Sequence, residues 1–371
     1  MNNNLRKYVR ISFANQRLYS RLFAKVFLLS FPPLPKNLCS SQFQQCPLTK
    51  FGDILLQNIK RESNATTEMT VSSSSSAICT NTKTKTWTWR GFPIAYHAQG
   101  DQGPAVVMVH GFGASSGHWR KNLPVLAENC RCYAIDLIGF GASAKPTPKL
   151  EVEYTFETWG QQVADFCREV VGEPAFLVGN SIGCIVAMQA AVDHPDIALG
   201  VAMLNCSLRL LHDRKRAELP WYRRVGAPVV QWLLNIKWIG LLFFGQLAKP
   251  KVVRKILLQA YRHPEAVTDE LVDMLMAPAA DIGAVDVFIA FTRYSQGPLP
   301  EDLLPLLPCP AIFLWGTEDP WEPVELGREL ANFPQVEKFI PLEGLGHCPQ
   351  DEAPEIVNPI LQDWILQHSV A

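Results

Sequence analysis

The chain has 371 residues, 48% hydrophobic and 19% charged, with a formal net charge of −1. That is enough apolar material for one large core with an inserted subdomain, and a near-neutral chain argues against a nucleic-acid surface. Its ten cysteines contain no C-x-x-C spacing; Cys132, Cys184 and Cys206 fall within apolar segments, so they read as buried thiols and not as a disulfide framework, and no metal or other cofactor is expected.

The average charge hides an asymmetry. Residues 1–85 carry twelve Lys/Arg against three Asp/Glu, a net +9, and the remainder carries −10. No acidic residue precedes Asp53, and a serine run follows from Ser72 to Ser76. An Arg- and Ser-rich, acid-poor leader reads as an organelle transit peptide, with the long Ser/Thr-rich stretch favouring the chloroplast over the mitochondrion. Residues 86–371 then form the expected folded domain. No uninterrupted apolar run of about eighteen residues is present; Gly226 to Ala248 comes nearest and is broken by Gln231, Asn235 and Lys237. Asn64 and Asn205 match the glycosylation sequon, a short motif that import into an organelle would bypass.

The domain opens with two short strands around a turn at Gly91. Apolar runs of the buried-strand kind follow at Ala105–Val109, Arg131–Ile135, Ala175–Val178, Val201–Leu204, Ala311–Trp315 and Val336–Ile340. Together with the opening pair they make eight strands. Helical patterns lie between several of them. Thr158–Val171 places Trp159, Val163, Phe166 and Val170 on one face, and Ser181–Val192 is a second. This alternation predicts an α/β fold with a mostly parallel sheet covered on both faces. The hundred or so residues before Ala311 are helical in pattern and too long for a structureless loop. Leu208 to about Leu304 is therefore expected to form a helical cap over the carboxyl ends of the strands, where ligands bind in open α/β sheets. Within it, Pro220-Trp221-Tyr222, Trp232, Trp238, Phe243 and Phe244 crowd together. With scattered Lys and Arg they suit a peripheral membrane surface or an oily pocket wall; plain packing of the cap onto the core is the simpler account.

Four motifs each follow a predicted strand. Gly179-Asn-Ser181-Ile182-Gly183 is a G-x-S-x-G turn between strand and helix, a geometry that exposes the serine hydroxyl. His110-Gly-Phe112-Gly-Ala-Ser115 can offer the Phe112 backbone N–H, with that of Ile182, to a developing oxyanion. His110 itself reads as a structural histidine bonded to nearby backbone. Gly316-Thr-Glu318-Asp319-Pro320 offers two carboxylates; Asp319, the shorter and next to a proline, is the expected partner of a histidine. Gly344-Leu-Gly-His347 supplies that histidine, the only one of eight that lies just after the last strand and after the acid. The order Ser181, Asp319, His347 matches a nucleophile, acid and base on such a sheet.

From Trp87 onward the chain resembles the α/β-hydrolase superfamily. Asp136-Leu-Ile-Gly-Phe-Gly-Ala-Ser-Ala-Lys-Pro146 is similar to its D-x-x-G-x-G-x-S-x-K-P loop, and Gly346-His-Cys-Pro-Gln-Asp-Glu-Ala-Pro-Glu355 to its G-H-x-P-x-x-E-x-P-E segment. More narrowly, the G-N-S-x-G elbow, the HGFGAS turn, the cap and the leader resemble plastid hydrolases of the pheophytinase and chlorophyll-dephytylase group. Cys184 departs from the pattern, since many relatives carry a second glycine there. The resemblance implies a serine hydrolase acting on a lipophilic ester, with the phytyl ester of chlorophyll-type pigments as the substrate class. Carbon–carbon bond hydrolases and slow-turnover ligand receptors share the fold and stand as alternatives. Ser181 at the elbow argues against the aspartate-nucleophile dehalogenases and epoxide hydrolases. Oligomeric state is not readable from the sequence.

Overall fold

The computed structural model describes residues 83–210, 212–216 and 236–369. Nearly all of the leader, and Pro220-Trp221-Tyr222 and Trp232 of the cap, lie outside the described residues.

Eight strands form one sheet: β1 Lys85–Trp89, β2 Phe92–Gln99, β3 Ala105–Val109, β4 Arg131–Ile135, β5 Ala175–Asn180, β6 Ala198–Leu204, β7 Ala311–Gly316 and β8 Val336–Leu342. Their spatial order is β1-β2-β4-β3-β5-β6-β7-β8. The β1–β2 and β2–β4 pairings are antiparallel, and all others are parallel. The sheet agrees with the fold class expected from the sequence.

The continuous apolar runs follow from burial on both faces. In β3, Ala105, Val107 and Val109 join one core cluster while Val106 and Met108 join another. In β7, Ala311, Phe313 and Trp315 face one way and Ile312 and Leu314 the other. Helices cover each face. On one lie α2 (Phe156–Phe166) and α3 (Ile182–Asp193); on the other lie α1 (Leu123–Leu126) and α12 (Pro354–His368).

The helix expected over Thr158–Val171 starts earlier, because the Thr155 hydroxyl caps it by accepting from the Thr158 N–H at 3.2 Å. Its last turn widens into a π-helical segment, Cys167–Val171, which stops at Gly172 with φ 80°. Between β6 and β7 the described residues are helical: α4 Asp213–Arg216, α5 Lys237–Leu247, α6 Pro250–Ala260, α7 Asp269–Met276, α8 Ala284–Arg293 and α9 Pro300–Leu303. After β7 come α10 Val324–Leu330, then, beyond β8, the short α11 Pro349–Glu352 ahead of α12. A small separate core under α6 and α7 gathers Leu257, Tyr261, Leu271 and Val272 around Cys348, the neighbour of His347. The helices between β6 and β7 thus pack directly onto the loop that carries that histidine.

Candidate active site

The helix expected from Ser181 begins one residue later, at Ile182, because Ser181 itself forms the turn. Its φ of 57° and ψ of −120° lie outside the regions ordinary residues prefer, a conformation that costs about 1–3 kcal/mol and is kept only where surrounding structure imposes it. Here the imposing contacts are backbone bonds. The Ser181 N–H donates to the Leu204 carbonyl at 3.0 Å, and the Ser207 N–H donates to the Ser181 carbonyl at 3.2 Å. Gly183 lets the turn sit against β3, since a Cβ there would fall 2.3 Å from the Val109 carbonyl oxygen.

Three loops converge on this turn. A Cβ built at Gly111 would lie 3.2 Å from Ser181 Cβ, so the backbone that leads into Phe112 passes beside the serine. Ile182 opens α3, where the first N–H groups have no acceptor within the helix. From the other side, Asn180 Nδ2 donates to the His347 carbonyl at 3.1 Å.

The acid and the histidine are joined. His347 Nδ1 lies 2.7 Å from Asp319 Oδ2, and both residues are 5% exposed. An ionised carboxylate only accepts, so Nδ1 carries the proton and Nε2 is left with a free lone pair. Burial pulls the His347 pKa down, but the negative charge of Asp319 and the hydrogen bond to it more than offset this and leave it raised above 6.5. Trp321 meets the imidazole edge to face at 4.8 Å between ring centres. The structure records no hydrogen bond from the Ser181 hydroxyl to this ring; such bonds often tighten only when substrate binds. Glu318 is elsewhere, exposed and paired with Arg262 at 3.2 Å.

His110 is buried, with Nδ1 2.8 Å from the Gly111 carbonyl and Nε2 accepting from the Leu137 N–H at 3.1 Å. That tautomer is neutral, and burial pushes its pKa below the usual value. It joins the Phe112 turn to the loop after β4.

Two residues the sequence did not single out hold the acid in place. Asn205 donates from Nδ2 to Asp319 Oδ2 at 2.7 Å and accepts at Oδ1 from the Gly316 N–H at 3.0 Å. The sequence marked it only as a sequon; its position just after β6 was the available signal. Asp319 Oδ1 accepts from the N–H groups of Trp321 and Glu322 at 2.8 and 3.1 Å. The second residue is Glu322, whose carboxyl accepts from the Ser207 hydroxyl and the Leu208 N–H. Burial, with Asp319 next to it, pushes its pKa up to about 8, so near neutrality it is mostly a neutral acid.

Over the Phe112 turn the wall is aromatic. Phe112 stacks on Phe291 of α8 at 4.4 Å and lies 5.9 Å from Phe288 and 5.8 Å from Phe140. Among the described residues no group of three or more His, Cys, Asp or Glu is placed to hold a metal ion.

A family model described as the alpha/beta hydrolase family matches residues 106–360. Among curated relatives, the chain is 28% identical over 307 residues to a chloroplastic pheophytinase of Arabidopsis thaliana, covering 71% of this chain and 61% of that protein. It is also 28% identical over 270 residues to the uncharacterized hydrolase YugF of Bacillus subtilis (strain 168), covering 72% of this chain and 92% of the relative. Among solved structures, a serine hydrolase involved in carbazole degradation superposes with a TM-score of 0.61 at 19% identity, over 77% of this chain and 99% of that one. At that identity the likeness speaks for the fold alone.

Proposed function

The chain belongs to the alpha/beta hydrolase family, and from that premise we propose that it is a serine hydrolase that cleaves a lipophilic carboxylic ester through an acyl-enzyme. The observation that carries this reading is the buried 2.7 Å bond between His347 Nδ1 and Asp319 Oδ2, beside a serine held in a strained turn. His347 Nε2 takes the Ser181 Oγ proton as Oγ attacks the ester carbonyl. The backbone N–H groups of Phe112 and Ile182 receive the oxyanion. The imidazolium, steadied by Asp319, returns its proton to the departing alcohol. Water, deprotonated by the same nitrogen, then releases the acid and restores Ser181.

The wall above the turn supports a lipophilic substrate. Phe112, Phe288 and Phe291 present hydrocarbon next to the oxyanion donors, and each CH₂ buried there gains about 0.8 kcal/mol. Similarity to a chloroplastic pheophytinase and the basic leader support the phytyl ester of a chlorophyll-type pigment as substrate and the chloroplast as the site of action.

The test incubates the protein with chlorophyll a, pheophytin a, and short and long p-nitrophenyl esters, beside Ser181→Ala. Phytol release by the wild type alone, and covalent labelling by a fluorophosphonate that Ser181→Ala abolishes, are expected. Persistent labelling in Ser181→Ala would remove the serine assignment. Rapid acetyl-ester hydrolysis, with no dephytylation and no gain with chain length, would remove the lipophilic substrate.

A further inference from the structure

α5 is too short to cross a membrane and too apolar on its outer side to face only water. Its eleven residues span about 16 Å, roughly half the hydrocarbon thickness of a bilayer. Among the described residues no single helix is long and apolar enough to span. Trp238, Leu241 and Leu242 are 60%, 47% and 55% exposed, and their spacing of three and four places them on one face. The opposite side is occupied: Phe243 and Phe244 lie 6.1 and 5.3 Å from Phe288. Gly240, which weakens the helical pattern in the sequence, is buried within the helix.

The sequence around α5 is cationic. From Leu219 to Pro264 the sequence contains no Asp or Glu and eight Lys or Arg, although the chain beyond residue 85 is net −10. In α6, Lys251, Lys255 and Leu258 are exposed at spacings of four and three, so they share one face of that helix. Arg254 pairs with Asp269, whereas Lys251 and Lys255 form no ion pair among the described residues.

We propose that the exposed face of α5, together with the exposed lysines of α6, docks the protein onto an anionic lipid surface, lying in the plane of the interface. The three large apolar side chains enter the acyl boundary while the lysines meet the headgroups. The absence of acids over this stretch suits an anionic bilayer, and exposed apolar side chains alone would not choose it. The docked helix is backed, through Phe243, Phe244 and Phe288, by Phe112 of the turn beside Ser181. A hydrocarbon substrate would thus leave the bilayer next to the aromatic wall. This last point rests on the hydrolase reading; docking does not, and it is measured without turnover.

The experiment floats the full chain with vesicles of phosphatidylcholine, alone or mixed with phosphatidylglycerol. The wild type should float with the mixed vesicles, less so as salt rises. The triple variant Trp238→Gln, Leu241→Gln, Leu242→Gln should lose at least about tenfold in partitioning. Lys251→Gln with Lys255→Gln should weaken binding to the mixed vesicles only. The basic leader is common to all these proteins, so equal flotation of wild type and triple variant overturns the proposal. So does a wild-type dimer in sedimentation that the triple variant breaks, because a second copy would then be the occupant. An unchanged melting temperature guards against misfolding. Quenching by brominated lipid that falls in Trp238→Phe gives a second, independent readout.

Discussion

At the scale of single residues, the neighbouring carboxylates Glu318 and Asp319 separate by environment. Asp319 is buried under four donors, from His347, Asn205, Trp321 and Glu322. Glu318 makes a surface pair with Arg262, an interaction worth about 0–1 kcal/mol. Asp319→Asn should therefore lower kcat on the order of 10⁴-fold with the fold intact, and Glu318→Gln should leave it near wild type. Steady-state kinetics on the two variants checks this, and the reverse pattern would reassign the acid. Glu322 makes a second prediction. Its carboxyl holds a proton in the folded state up to about pH 8, whereas the ordinary glutamate value is 4.5. The folded protein thus binds the extra proton across that window, and stability present below it is lost as pH rises through it. Glu322→Gln has no proton to lose, so its melting temperature should fall less between those pH values than that of the wild type. Parallel curves for the two proteins would show that Glu322 is ionised throughout.

At the scale of elements, the chain at the end of α6 and the histidine loop form one unit. The His347 N–H donates to the Ala260 carbonyl at 2.8 Å. Glu352 accepts from the N–H groups of Arg262 and His263 at 2.7 and 2.8 Å and from that of Gly346 at 2.8 Å. Nothing but glycine fits at 346, because a Cβ would stand 2.0 Å from the Ala260 carbonyl oxygen. Tyr261 adds a bond to the buried Asp351 at 2.9 Å. The helices after β6 are therefore docked by the same backbone that aims His347. Glu352→Gln turns an amide N–H toward one of these donors and should cost on the order of 2 kcal/mol. We expect a lower melting temperature together with lower activity. Thermal unfolding and ester turnover measured on one preparation check the coupling; a loss of stability with kcat unchanged would show that the clamp does not position His347.

At the scale of the whole molecule, charge is divided along the chain and the sheet is divided by direction. The antiparallel β1 and β2 form one edge, and the parallel strands carry every loop of the candidate site at their carboxyl ends. The net +9 of residues 1–85 against −10 beyond is the asymmetry on which the proposed import rests. A fusion of residues 1–85 to a fluorescent protein should enter chloroplasts. Fluorescence left in the cytosol, or coincident with a mitochondrial marker, would count against the plastid assignment.

The central strands β3, β5 and β7 were legible in the sequence because strands buried on both faces appear as unbroken apolar runs, and their ends because Gly-rich turns follow them. Ser181, Asp319, His347, Phe112 and Ile182 were singled out because each stands just beyond a predicted strand. Other features depend on contacts between distant parts of the chain, and no local pattern announces those. Asn205 meets Asp319 across 114 positions and Tyr261 meets Asp351 across 90. The aromatic residues of the cap looked alike in sequence, since periodicity reveals a helix and its faces but not which face has a neighbour. Phe288 covers Phe243 and Phe244 and leaves Trp238 outside. That choice belongs to the tertiary structure, because burial is a property of what packs against a side chain and not of the side chain itself.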